Sequence, residues 1–273
     1  MPTPPSPSSS WTGADMATAH ATCLLVAYAP ALSREDTRPM AVVHEMERAI
    51  PGLKLSWTLS DDGRFIPAPT LDSRATAKTS RGLLPLLCNG DERHFVTLAR
   101  RETPASQNPG GRPQLEVHAR WPLDVAGISA AAEALERIAE AAHAFWAHAT
   151  PKRAAGDIAE QTSPTLAGPP SPPRGLPALK LPWDLPSPET PHRLGWLNYW
   201  SAATARRLGF PNPSLDVELL TRARRTAAGG WIVPLTDTPL DLDNPAHLGA
   251  LLRAYERFPE IGGRTAFGTS GPG

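Results

Sequence analysis

Four side chains within eleven residues carry ligand chemistry: Asp237, Asp241, Asp243 and His247. Three carboxylates and an imidazole at that spacing could hold a divalent cation, which prefers oxygen ligands. The same set could serve a metal-assisted hydrolase or transferase. A second reading competes with this one. Asp241 and Asp243 alternate with Leu240 and Leu242, the pattern of solvated carboxylates between buried neighbours. Asp243 also precedes Asn244-Pro245, an N-cap followed by proline at the first helical position. Acid at a helix start is favoured by the helix dipole, so capping and turn chemistry explain the same residues without a ligand.

Tryptophan and arginine raise a different chemistry. Trp196, Trp200 and Trp231 crowd the C-terminal third, with Arg222, Arg224 and Arg225 nearby in sequence. They read either as core and solvated helix end, or as the anchors that dominate binding energy at protein interfaces. His44, His118, His143, His148 and His192 share no spacing. Each reads as a surface or partly packed histidine, because acid–base work needs a partner within hydrogen-bond reach. Cys23 and Cys88 each lie in an apolar run and read as buried reduced thiols. The chain has no Gly-rich phosphate loop, Cys-x-x-Cys, His-Glu-x-x-His or Gly-x-Ser-x-Gly motif.

Charge narrows the partners. Lys plus Arg and Asp plus Glu both number 27, giving zero formal net charge. A nucleic-acid binder needs a basic excess to neutralise phosphates. No apolar run approaches the 18 or so residues of a membrane-spanning helix. The uncharged, Pro/Ser-rich start lacks the basic region and apolar stretch of a secretory signal. The expected location is the cytoplasm, with no cofactor, no metal, no nucleic acid and no membrane partner.

The elements that must position these residues follow from periodicity. Thr22 to Ala29 reads as a buried strand. Thr37-Arg38-Pro39 starts a helix that Pro51-Gly52 ends. Leu53 to Leu59 alternates as a half-buried strand, and Phe65-Ile66 begins another after a turn at Asp61-Asp62-Gly63. His94 to Arg100 and Leu115 to Ala119 read as a hairpin across the Asn108–Pro113 turn. Ser129 to His148 carries the strongest helical pattern, with Ile128, Ala132, Leu135, Ile138, Ala142 and Phe145 on one stripe. Then ten prolines fall in the 28 positions 164–191. Proline fixes φ and lacks a donor, so this stretch is neither helix nor central strand. It reads as an extended connector, or as the ligand of a proline-binding scaffold partner. Beyond it come a strand over Leu194 to Trp200, a short helix from Ser201 to Leu208 stopped by Gly209, and a helix over Leu215 to Arg225. A Gly229-Gly230 turn then leads into a strand over Trp231 to Leu235, and a helix runs from Asn244 to Phe258. A short internal echo links Met46-Glu47-Arg48-Ala49-Ile50-Pro51 with Tyr255-Glu256-Arg257-Phe258-Pro259.

The expected fold is α+β, with mixed or antiparallel sheets and packed helices in two halves. The expected organisation is a disordered tail over 1–20, an N-terminal half over 21–160 and the connector over 161–191. A C-terminal half over 192–263 and a flexible tail over 264–273 complete it.

Three stretches carry a resemblance. They are Leu194-Gly195-Trp196-Leu197-Asn198-Tyr199-Trp200-Ser201, Gly229-Gly230-Trp231-Ile232-Val233, and Leu235 to Leu248 with its Asn244-Pro245-Ala246-His247 helix start. Together they resemble the immunity protein 52 family of bacterial polymorphic toxin systems. Along its whole length the chain is also similar to an associated myxobacterial domain family, including Leu86-Leu87-Cys88-Asn89-Gly90-Asp91 and Tyr255 to Gly263. The resemblance implies a small cytoplasmic antidote with no catalytic activity. Such an antidote is encoded beside a toxin, often one of restriction-endonuclease fold, and neutralises it by tight binding. Trp196, Trp200, Asp237, Asp241, Asp243 and His247 are the residues expected to contact that toxin. A neutral antidote would rely on shape and aromatic anchors more than on long-range steering.

Overall fold

The computed structural model describes residues 22–33, 35–60, 62–68, 83–163 and 172–261. The tails expected at 1–20 and 264–273, and connector residues 164–171, lie outside the described residues.

The fold is α+β. Among the described residues, ten strands form one antiparallel sheet: β1 (Thr22–Pro30), β2 (Trp57–Leu59), β3 (Phe65–Pro67), β4 (Leu83–Cys88), β5 (Thr97–Thr103), β6 (Gln114–Pro122), β7 (Trp146–Pro151), β8 (Leu197–Trp200), β9 (Arg224–Arg225) and β10 (Trp231–Pro234). Their order is β3-β2-β4-β5-β6-β1-β7-β8-β10-β9. Six helices accompany them: α1 (Arg38–Ala49), α2 (Val125–Ala141), α3 (Lys152–Glu160), α4 (Ala202–Arg207), α5 (Val217–Leu220) and α6 (Pro245–Arg257). The segments on either side of the proline-rich stretch share the sheet. β7 pairs with β8 from Trp146↔Trp200 to Ala149↔Leu197.

Alternation along β1 sorts the two faces. Cys23, Leu25, Ala27 and Ala29 are almost fully buried on the face carrying α1 and α2, which pack against each other. Ala119, Ala147 and Ala149 lie in register with β1 on that face, and α2 turns Ala131, Ala134 and Ala139 into the core. Small side chains on both surfaces let helix and sheet approach closely, as dense packing requires.

The other face carries one continuous row. Register places Arg101, Glu116, Tyr28, Trp146, Trp200, Trp231 and Arg225 side by side on seven successive strands. The row is charged at its ends and aromatic in the middle. Trp200 meets Phe210 and Phe258 edge-on, with centroids 5.0 and 5.1 Å away. Tyr28 stacks on Trp146 at 4.2 Å.

Several elements differ from expectation. The helix expected over 129–148 starts at Val125 and stops at Ala141, and the central strand β7 follows at Trp146. The stop is a Schellman motif: the His143 amide donates to Glu140 O and the Ala144 amide to Ala139 O. His143 takes the left-handed position, φ 53°, where glycine is usual. The helix expected over 215–225 is a single turn, α5, followed by the two-residue strand β9. Asp216 Oδ2 accepts the Asn212 amide at 2.6 Å and commits that segment to turn geometry. The described part of the connector is extended with two short 3₁₀ turns, Pro173–Gly175 and Pro182–Asp184. It is packed, with Leu176, Leu179 and Leu185 buried, and the Leu179 amide donates to Gln161 O at 2.7 Å.

Candidate partner-binding site

The loop joining β10 to α6, residues 235–244, holds three of the six residues singled out by sequence, and His247 follows in the first turn of α6. Leu235, Leu240 and Leu242 turn inward, while Asp237, Asp241 and Asp243 face solvent, as the alternation implies. Trp196 pins the loop from below. Its carbonyl accepts the Leu235 amide at 2.9 Å, and its indole donates to Thr236 O at 3.2 Å.

The acidic residues are not equivalent. Asp241 Oδ1 accepts the Asp243 amide at 3.0 Å, and the Asp241 amide donates to His247 Nδ1 at 3.1 Å. Asn244 caps α6 by accepting the Ala246 amide. Asp243 bridges two arginines, Arg174 Nη1 at 2.6 Å and Arg153 Nη2 at 2.5 Å. Arg174 also holds Asp157 at 2.5 Å and donates to Leu242 O at 3.0 Å. The hydrogen bond from Arg174, aided by the charge of Arg153, holds the Asp243 carboxyl below the usual range. Asp237 stands apart, its side chain 82% exposed and 3.9 Å from Arg222 Nε. Turn geometry thus accounts for Asp241 and His247, whereas the Asp243 carboxylate is held by Arg153 and Arg174 and caps no helix. Among the described residues no three His, Cys, Asp or Glu side chains converge as a metal site would need.

Two clefts open beside this loop. One, of about 210 Å³, has Leu240 and Leu242 in its wall and Arg153, Asp157 and Arg174 among its lining residues. The other, of about 310 Å³, is a groove between α2 and β10. Ile128, Ala132, Trp196 and Pro234 give it an apolar lining, and Arg222 and Asp237 stand among its polar groups. Ile128 is 37% exposed and Val125, one turn earlier, is 84% exposed, so the apolar surface continues past the groove. Arg222 is braced by Glu218 at 3.2 Å.

Trp200 does not join this site. It is fully buried, and so belongs to the core. Trp196 is 3% exposed and contributes to the groove from within. Ile128 reads in the sequence as part of the buried stripe of α2, yet it faces the groove. Its position at the second turn of a helix that starts earlier than expected explains the difference. Arg153 and Arg174 carry no sequence signal, because their partner Asp243 lies far along the chain.

A second cluster escapes the sequence reading. His148 and His192 are 4% exposed, neither surface nor partly packed. His192 sits edge-on to both Tyr28 and Trp146, with centroids 4.7 Å from each. Neither of its ring nitrogens has a hydrogen-bond partner, nor does His148 Nε2 or Trp146 Nε1. Burial, reinforced by the nearby Arg193 charge, lowers the His148 pKa to about 3 and that of His192 well below its ordinary value. At the outer end of the row, Glu116 Oε2 accepts from Arg101 at 2.6 Å and lies 2.9 Å from His118 Nε2.

Comparison with known proteins adds the following. Residues 34–266 match the family model described as "Domain of unknown function (DUF5953)", so the chain belongs to that family. No curated protein matches the chain. Among solved structures, the Pseudomonas aeruginosa T6SS protein PA0821 is similar at 12% identity and a TM-score of 0.49, over 88% of this chain and 73% of that one. A likeness at that level says nothing about activity. No helix among the described residues is long and apolar enough to cross a membrane.

Proposed function

We propose that this member of the DUF5953 family is an immunity-type antidote, a protein that binds and neutralises a cognate bacterial toxin without catalysing a reaction. The observation that carries this reading is the groove beside the 235–244 loop. It joins an apolar lining, an exposed apolar margin at Val125 and Ile128, and adjacent polar groups at Arg222 and Asp237. A contiguous apolar surface flanked by polar groups is the anatomy of a protein-docking site. Two of the stretches that resemble immunity proteins reach this groove: Gly195-Trp196-Leu197 supplies Trp196 and Leu197 to its wall, and the 235–248 stretch supplies Thr236 and Asp237. Binding there would place the anchor residues on a helix and a strand rather than on a mobile loop, which limits the entropy lost on association.

Co-expression with the adjacent gene tests the reading. Where that gene is toxic alone, rescue of growth and co-purification of the two proteins are expected. Undiminished toxicity with no complex counts against the pairing.

A further inference from the structure

The end of the proline-rich segment is fastened to β7 through a buried imidazole pair. His192 lies against the Tyr28–Trp146 stack, and the Gly195 backbone lies on His148. A Cβ added to Gly195 would come within 3.0 Å of His148 Nδ1 and would overlap the Thr150 hydroxyl. Thr150 Oγ1 accepts the Trp196 amide at 3.3 Å and lies 3.2 Å from His148 Nδ1. With its lone pair facing the amide, the hydroxyl is free to donate its hydrogen to Nδ1. That arrangement suits a neutral imidazole; when Nδ1 takes a proton the bond reverses, and the hydroxyl must accept both the ring N–H and the Trp196 amide and loses Nδ1 as its own acceptor.

The groups facing the pair offer no counter-charge. β1 presents Tyr28, β7 presents Trp146 and Thr150, and β8 presents Asn198, whose side chain bonds Gly195 at both its amide and its carbonyl. β6 presents Glu116 and His118, but the Glu116 carboxylate is engaged by Arg101 of β5 and by His118. Arg120 of β6 and Arg193 of the segment itself are cations. Tyr255 of α6 accepts the Leu194 amide at 3.2 Å and donates to Gln161 at 2.8 Å. A proton on either imidazole therefore meets nearby cations and no anionic partner at ring atoms shielded from bulk solvent, a costly state for a buried charge.

We propose that Thr190–Trp196 is an acid-labile clasp: proton uptake by His148 and His192 lifts this segment off β7 and releases Trp196 from the wall of the groove. The inference concerns the fold and holds whatever the groove binds. Both imidazoles bind protons less well folded than unfolded. The stabilisation is thus complete above about pH 6.5, the ordinary histidine value, and is lost as pH falls below it.

The test compares the full chain with the H148N/H192F variant, which keeps a polar group and an aromatic ring but cannot titrate. Urea unfolding is measured at pH 7.5 and 5.0. The unfolding constant of the wild type should rise by roughly 30-fold per imidazole more than that of the variant, about 1000-fold for the pair. Hydrogen exchange on the wild type, corrected for intrinsic rates, provides the second readout and does not depend on the variant folding. Peptides covering 190–196 should lose protection at pH 5.0 before those covering β1 and β7. Equal pH dependence in the two proteins overturns the proposal, as does exchange in which 190–196 stays as protected as the sheet.

Discussion

The 235–244 loop and the Tyr28–Trp146–His148–His192 cluster both concentrate polar and aromatic side chains, yet they solve opposite problems. In the loop, every carboxylate faces solvent, a backbone amide or an arginine. In the cluster, buried polar ring atoms pack against aromatic rings without a protein hydrogen-bond partner. Exposed ion pairs contribute little to stability and are screened by salt. Buried unmet polar groups are rare in native proteins and costly to perturb. The contrast implies that the loop can change its surface chemistry at small cost to the fold, whereas the cluster cannot.

The largest effect should come from the aromatic row. Trp200→Ala removes a fully buried indole between Phe210 and Phe258, and should cost about 3–5 kcal/mol in chemical denaturation. Loss of partner binding by this variant would then track the unfolded fraction. A W200A protein of unchanged stability but lost binding would move Trp200 from the core to the interface and erase the distinction drawn here. Gly195→Val comes next. Its side chain has no space between His148 and Thr150, and overpacking of this kind should cost roughly 1–3 kcal/mol in a thermal or urea melt.

Changes at the groove should separate binding from stability. Ile128→Arg, at a position already 37% exposed, should leave stability within about 0.5 kcal/mol. It should weaken a groove-bound partner tenfold or more by calorimetry, as expected for an anchor position worth over ~1.4 kcal/mol. Equal affinity of I128R and wild type for a verified partner would place the interface elsewhere. The smallest effect belongs to Asp243→Asn. It removes the negative charge shared by Arg153 and Arg174, and the melting temperature should fall slightly at low salt. The difference should vanish at high salt, because all three side chains reach solvent.

Two helix ends show what the sequence made legible. α4 and α2 stop in the same Schellman geometry. In α4 the Gly209 amide donates to Arg206 O and the Phe210 amide to Ala205 O, just as His143 and Ala144 do at the end of α2. Gly209 announces its stop, since glycine takes the left-handed conformation without penalty. His143 does not, so the apolar spacing of Ala142 and Phe145 extends the helical pattern past the true stop and hides β7. A strand buried on both faces lacks the alternation that would reveal it. The loop was read more fully, because Leu240, Leu242, Asn244 and Pro245 act through neighbours one to four residues away. The arginines on Asp243 and the packing on His148 come from distant segments, and local pattern cannot contain them.

The shared sheet also bears on how the chain is made. β7 is complete once Pro151 has been synthesised, but its partner β8 ends at Trp200, about fifty residues later. At roughly 5–20 residues per second, β7 waits on the order of 3–10 s with one edge unpaired. The intervening residues are α3 and then the proline-rich stretch. Proline has no amide to offer a strand edge, so the stretch that follows α3 is poorly able to pair with β7 wrongly. The same proline content would keep that edge vacant for its proper neighbour during translation.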